Sequence, residues 1–242
     1  MRGMMQIAYG AYTYVVFAVL GCAALLGVVV VPGLGRRRRI ARTAARLFLR
    51  LTGMQLTVKG LDRLPASQCV VVANHASYLD GLVLTAALPP RFGFVIKREM
   101  AEVPLAGSLL HRIGAEFVER FDRHKGAADT RRVLRKAAAG QSLVFFPEGT
   151  FSPQPGLLKF HAGAFHTAAR AGCPVVPAAV QGTRQALPPG QLLPHAARIT
   201  VELLLPIVQP STDDSGTAAA ELRERARQAI LHHLCERDLA AA

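Results

Sequence analysis

The sequence predicts an α/β fold: a mixed, mostly parallel sheet flanked by helices, preceded by N-terminal membrane-anchoring helices. Three observations lead there. From residue 53 onward, short β-rich runs alternate with helical stretches, the pattern of strand–helix–strand units. Two of the runs, Val70–Ala73 and Val175–Val180, are apolar throughout, which suits strands covered on both faces. Ahead of them, Ile7–Val31 forms a mostly apolar stretch of 25 residues, and no charge occurs between Gly3 and Gly35.

The N-terminal stretch comes first. At about 1.5 Å per residue, roughly 20 residues cross a hydrocarbon core of about 30 Å, so Ile7–Val31 is long enough to span it or to dip in at an angle. A cleaved signal peptide has a shorter apolar region, and Arg36–Arg39 would oppose translocation of the chain beyond them, so the segment reads as a retained anchor. Ile40–Leu51 has the period of an amphipathic helix, with Arg42, Arg46 and Arg50 on one flank and Ala44, Leu47, Phe48 and Leu51 on another. Such a helix suits an anionic headgroup plane; a solvated face packed on the domain is the other reading. The arginines place the chain after the anchor on the cytoplasmic face of the cytoplasmic membrane. The chain is thus expected to divide into 1–52, anchor plus basic helix, and 53–242, the α/β domain. Strands are expected at Gln55–Lys59, Cys69–Ala73, Phe92–Ile96, Glu116–Val118, Ser142–Phe146, Val175–Val180 and Ile199–Leu205. Helices are expected at Leu79–Ala87, Leu105–Arg112, Ala127–Ala139, Ala162–Ala171 and Thr217–Leu239.

Charge is unevenly placed. Residues 1–50 carry eight arginines and no acid, so 8 of the net +13 lie there and the remaining residues carry only +5. That is a local basic patch beside an apolar span. The four cysteines are scattered without a CxxC pair, which excludes the usual zinc and disulfide frameworks and suits a reducing compartment.

In parallel sheets the chemistry gathers after the C-terminal ends of strands. After Val70–Ala73 comes Asn74-His75-Ala76-Ser77-Tyr78-Leu79-Asp80. A His can take a proton while a carboxylate fixes its tautomer and stabilises the imidazolium. On one ideal helix, positions five apart lie roughly 140° apart, so the pair works only with His75 in the loop and Asp80 in the first helical turn. Ser77-x-x-Asp80 equally fits a capping box at a helix start. A second pair of the same spacing, His124 and Asp129, lies in a polar stretch away from any strand end and reads as coincidental. Phe145-Phe146-Pro147-Glu148-Gly149-Thr150 ends another strand; glycine there lets the backbone approach a ligand, or simply makes a turn. In Gly114-Ala115-Glu116-Phe117-Val118-Glu119-Arg120, the arginine suits a phosphate, or pairs with Glu119 or Asp122 at the surface.

Taken in order, these motifs resemble the glycerolipid acyltransferase family typified by 1-acylglycerol-3-phosphate acyltransferases, whose blocks are N-H-x-x-x-x-D (Asn74–Asp80), G-x-x-F-[IV]-x-R (Gly114–Arg120), F-P-E-G-T (Phe146–Thr150) and a V-P-V-A-[IV]-like strand (Val176–Val180). The resemblance covers about residues 53–205. It implies a glycerol-3-phosphate acyltransferase-like fold, with His75 as general base on the acceptor hydroxyl and Asp80 orienting it. It implies Arg120 as ligand of the acceptor phosphate, and an acceptor site shaped by Glu148, Gly149 and Thr150, with Gly114 in the second block and Lys97 nearby. It implies a lysophospholipid acceptor, membrane lipids as surroundings, and acyl-CoA or acyl carrier protein as co-substrate, with no cofactor and no metal. Two departures stand out. Phe151 and His161 occupy positions where the family commonly has Arg and Lys; both remove a fixed positive charge, with Lys159 close by in sequence, and they leave other lysolipid, lyso-aminolipid or glycolipid acceptors open.

Two other classes compete. A nucleic-acid-binding protein would use the arginine run on phosphates, but that run adjoins an apolar span and no nucleic-acid-binding motif occurs, so no nucleic-acid partner is expected. A non-catalytic membrane scaffold would have no need of His75 and Asp80.

Overall fold

A computed structural model describes residues 2–119, 123–209, 214–234 and 236–240, the side chains of residues 2 and 123–127 excepted. Seven strands form one sheet: β1 (Gln55–Lys59), β2 (Val70–Ala73), β3 (Gly93–Lys97), β4 (Glu116–Val118), β5 (Leu143–Phe145), β6 (Val175–Gln181) and β7 (Arg198–Leu203). Their order is β1-β7-β6-β2-β5-β3-β4, parallel at every joint except β6–β7. The C-terminal ends of β2, β5, β3 and β4 therefore share one edge of the sheet. The mixed, mostly parallel sheet expected from the sequence is the one found.

The helices are α1 (Arg2–Val30), α2 (Leu34–Leu51), α3 (Asp80–Ala87), α4 (Ala106–Arg112), α5 (Arg123–Ala138), α6 (Gly163–Ala171), α7 (Thr183–Ala186) and α8 (Ser215–Leu234). Residues of β2 alternate between two cores. Val71 and Ala73 point to a layer with Phe48 and Leu49 of α2 and with Val83, Leu84 and Ala87 of α3. Val70 and Val72 point to the opposite layer, with Phe165 of α6 and Leu222, Ala226 and Ile230 of α8. All four β2 side chains are buried, which explains the unbroken apolar run.

Three features differ from expectation. First, α2 starts at Leu34, so the arginine run is helical. Gly33, at φ +89°, makes the turn out of α1, and nothing after Gly35 breaks a helix. Second, part of the basic flank of α2 packs on the domain, while Arg36, Arg39, Arg46 and Arg50 stay exposed. Arg38 is buried and donates to the carbonyls of Ile113 and Arg91 (2.9 and 2.8 Å). Arg42 and Arg46 donate to Ala86 and Ala87, the last carbonyls of α3. Those carbonyls have no partner within their own helix, and a cation there also meets the negative end of the helix dipole. Arg42 and Arg46 thus cap α3, the packed arrangement that the sequence offered beside the headgroup one. Third, α8 stops at Leu234 rather than continuing to Leu239. Residues 237–239 bridge back to Leu157, and Arg227 holds Asp238 in an ion pair.

α1 is not a detached helix. The hydroxyls of Tyr9, Tyr12 and Tyr14 donate to the carbonyls of Thr52, Leu51 and Leu192, and Val28 is buried against α2 and Ile113. Its opposite side exposes Val15, Val19, Leu26 and Val30. It is long and apolar enough to cross a membrane.

The packing makes α2 part of the core. Phe48→Ala should cost about 3–5 kcal/mol, the usual range for emptying a buried Phe site. Leu47→Ala, next to it and 41% exposed, should change stability by less than about 0.5 kcal/mol. Chemical denaturation of both variants in detergent measures the difference.

Candidate active site

The site is built where β2 leaves the sheet. Asn74 is buried at that point; its side-chain amide donates to Val180 O (2.9 Å) and accepts from Val180 N–H (2.7 Å), continuing the β2–β6 ladder by one side-chain rung. This joins the first sequence block to the fourth. Sequence reasoning assigns Asn74 no role; the available signal is an Asn at a strand end, facing a parallel neighbour.

His75 lies in the loop after Asn74 and Asp80 is the first residue of α3, the arrangement their spacing requires. The imidazole Nδ1 is 2.7 Å from Asp80 Oδ2. The same oxygen accepts the backbone N–H groups of Ala76 (2.6 Å) and Ser77 (2.8 Å). Asp80 is fully buried, whereas the His75 side chain keeps 19% of its surface open. Ser77 Oγ accepts from Leu79 N–H and donates to Leu187 O, just beyond α7. Capping and orientation of His75 are therefore one and the same contact set. With Asp80 holding Nδ1, the imidazole Nε2 has no hydrogen-bond partner among the described residues.

Glu148 is buried beneath this loop. Its two oxygens accept the backbone N–H groups of His75 (2.6 Å) and Leu158 (2.8 Å). Burial, reinforced by the nearby Asp80 carboxylate, pushes its pKa up to about 7 against the pull of those two amides. Gly149 turns at φ +74°, its N–H closing on Phe146 O, and leaves Thr150 exposed at the rim. Phe146 stacks on the imidazole of His75 (centroids 4.4 Å) and Phe151 meets it edge-on (4.6 Å). Tyr78, 67% exposed, extends this wall against Phe151. Phe151 thus belongs to the immediate surroundings of His75. Arg184, on α7, donates to Ser152 O and Pro153 O and so secures the loop that carries Phe151. His161 and Lys159 are both exposed, and the His161 N–H donates to Pro147 O.

Lys97 is exposed at the C-terminal end of β3, two strands from β2 on the shared edge. At about 4.8 Å per strand its backbone stands roughly 10 Å from that of His75, within a long side chain's reach of a small bound molecule. Gly114 is elsewhere. It precedes β4, on the side of the sheet where the parallel strands begin, with φ +73°, and a Cβ there would stand 3.0 Å from Leu34. The structure thus places Gly114 against α2, away from His75, as a turn out of α4. Arg120 lies outside the described residues, as do Asp122 and the side chain of His124. Asp129, whose spacing from His124 reads as coincidental, is 2% exposed and accepts from Arg98, Arg132 and the backbone of Glu119. Burial works against its charge, but those three donors outweigh it and hold its pKa below the usual carboxylate range.

Fold and site together define an α/β domain with a carboxylate-oriented histidine at the C-terminal edge of parallel strands, a geometry suited to drawing a proton from a bound hydroxyl. Residues 55–181, just over half of the chain, match the Acyltransferase family, and the chain belongs to that family. It is 36% identical over 135 residues to the chloroplastic 1-acyl-sn-glycerol-3-phosphate acyltransferase BAT2 of Brassica napus, covering 55% of this chain and 39% of that protein. It is 33% identical over 186 residues to the lyso-ornithine lipid O-acyltransferase of Pseudomonas aeruginosa, covering 69% and 67%. The crystal structure of the 1-acyl-sn-glycerophosphate (LPA) acyltransferase PlsC of Thermotoga maritima superposes with a TM-score of 0.77 at 20% identity, over 96% of this chain and 98% of that one, and shares the fold. The chain spans about two fifths to half the length of the plant and algal relatives it matches.

Glu148→Gln should be strongly disruptive, because both carboxylate oxygens face N–H donors and an amide must turn its own NH2 toward one of them. Its effect should also depend on pH. A carboxyl raised from 4.5 to about 7 on folding stabilises the fold fully below pH 4.5 and loses that contribution as pH rises through 7. The stability gap between wild type and Glu148→Gln, measured by denaturation at about pH 5.5 and about pH 8, should therefore narrow at the higher pH. An unchanged gap would show that Glu148 is ionised throughout.

Proposed function

We propose that this protein is a membrane-associated O-acyltransferase that moves a fatty acyl chain from acyl-CoA or acyl carrier protein to the hydroxyl of a lysophospholipid. The acceptor proposed first is 1-acylglycerol-3-phosphate, which would give phosphatidic acid. The observation that carries this is the 2.7 Å contact between His75 Nδ1 and buried Asp80, which leaves Nε2 open to a ligand. In the proposed reaction, Nε2 takes the proton of the acceptor hydroxyl. The oxygen attacks the thioester carbonyl, a C–O bond forms, and collapse of the tetrahedral species breaks the C–S bond. The imidazolium returns its proton to the departing thiolate. Asp80 stabilises the imidazolium throughout, and Glu148 and Asn74 keep the His75 backbone at a fixed height. A thioester is reactive enough that positioning and base catalysis carry the step without a covalent intermediate.

Lys97 and Arg120 are the cations proposed for the acceptor's anionic headgroup. A second acceptor class is favoured by one observation: Phe151 and Tyr78 line His75 with aromatic surface rather than positive charge. That wall suits a lysolipid without a phosphomonoester, and one relative is named for a lyso-ornithine lipid.

Membrane association is supported by the exposed apolar stripe of α1, at Val15, Val19, Leu26 and Val30. Because α1 is fastened to the domain along its length, the reading favoured is a helix lying in the membrane surface with the domain against the headgroups, on the cytoplasmic face of the cytoplasmic membrane.

Purified protein in detergent micelles, given labelled acyl-CoA and a panel of lysolipids, should transfer acyl groups to one of them. His75→Ala should lower the rate by roughly 100-fold or more, the range for loss of a general base, and a rate within about threefold of wild type would sink the assignment. Arg120→Ala should raise the acceptor KM and spare kcat. Separately, Val19→Glu with Leu26→Glu should reduce co-flotation with anionic liposomes while leaving the melting temperature nearly unchanged; undiminished flotation would remove α1 from the membrane-facing surface.

A further inference from the structure

The far edge of the sheet holds a tie that the reaction as proposed does not use. β3 pairs with β5 only at Gly93 and Phe94; beyond that, Val95, Ile96 and Lys97 pair only with β4. β4 is the edge strand and is three residues long. So the segment that ends in Lys97 rests on a short edge strand, the kind of ladder that frays. Asp129, on α5, closes this weak corner. Its Oδ2 accepts from Arg98 Nη2 (2.5 Å), the residue after β3, and from Glu119 N–H (2.9 Å), the residue after β4. Its Oδ1 accepts from Arg132 Nη1 (2.9 Å), and Arg132 reaches Glu116 Oε2 (2.9 Å) and Phe117 O (2.5 Å) within β4. The arginine side chains are 37–40% exposed, so these ion pairs add little energy through solvent-screened attraction. What a buried carboxylate with three donors does supply is a single position for the groups around it.

We propose that Asp129 is a positioning residue that clasps the C-terminal ends of β3 and β4, and thereby places Lys97 for the anionic headgroup of the acceptor. The proposal rests on the reading of Lys97 and Arg120 as headgroup ligands. It makes α5, which contributes nothing directly to the His75 site, a determinant of acceptor affinity.

The test is steady-state kinetics of the full chain in mixed micelles with acyl-CoA, using the acceptor most active in the lysolipid panel. Asp129→Asn keeps size and removes charge; Arg98→Ala removes only the β3 half of the clasp at a half-exposed side chain that folding can spare; Arg98→Lys partly restores it. Asp129→Asn and Arg98→Ala should each raise the acceptor KM by about fivefold or more, with kcat and the acyl-CoA KM within about twofold, since misplacing a binding group weakens one substrate selectively. Arg98→Lys should recover most of the loss. An acceptor KM within about twofold of wild type in both variants would overturn the proposal. So would a parallel change in kcat and both KM values that tracks a lowered melting temperature, which is the mark of general destabilisation. Arg120→Ala, run alongside, judges the headgroup reading by itself: an unchanged acceptor KM there would remove Arg120 from the site, while the Asp129 and Arg98 variants still decide the clasp.

Discussion

Where β2 ends, the backbone must leave its ladder inside a nearly dry site, and every N–H group released there needs a partner. The rest of the site depends on how that need is met. Asp80 accepts from Ala76 and Ser77, Glu148 accepts from His75, and Asn74 bonds Val180 in both directions. Each is a polar side chain buried to 4% exposure or less. A buried carboxylate without donors would be costly, and a buried amide without an acceptor equally so. Placing one against the other removes both costs and leaves a loop with a single conformation. The oxygen that captures two of those amides also holds the imidazole, so the cap and the histidine's orientation share one atom.

The same need explains the arginines of α2. A basic helix after an apolar stretch is what a headgroup plane attracts, and from sequence the charge looks outward. The fold supplies a competing set of acceptors: the end of α3 and the carbonyls at residues 91, 113 and 114 present oxygens to the guanidinium groups. Arg38, Arg42 and Arg46 meet them. Long side chains with planar forks suit this use, since one guanidinium serves several carbonyls.

Much of the architecture is legible in the sequence because its signals are local. Unbroken apolar runs mark β2 and β6, and all seven strands lie within a residue or two of their expected positions. His75 and Asp80 can be singled out because they directly follow such a run. Other parts are hidden for a physical reason. Asn74 and Glu148 matter through partners 106 and 73 residues away. Asp129 looks solvated in a polar stretch, yet its neighbours Arg98 and Glu119 arrive from two separate strands. Gly114, grouped by motif with the acceptor site, sits away from His75 because it precedes β4, where the parallel strands begin. The end of α8 is hidden because helical propensity continues past Leu234, whereas the pull of Arg227 on Asp238 is a tertiary contact.

The positions of strands and helices, the alternation that makes the sheet mostly parallel, and the histidine–aspartate pair at a strand end all belong to the linear order of residues. They depend on side-chain periodicity and on groups a few positions apart. Folding alone settles which way the arginines of α2 face, that Phe146 and Phe151 enclose His75, that Glu148 holds the His75 loop from below, and that Asp129 ties two strand ends together. Each of these is a choice among several polar or aromatic partners equally available to the unfolded chain. The choice is made by which donors and acceptors the packed layers bring within about 3 Å of one another and out of water.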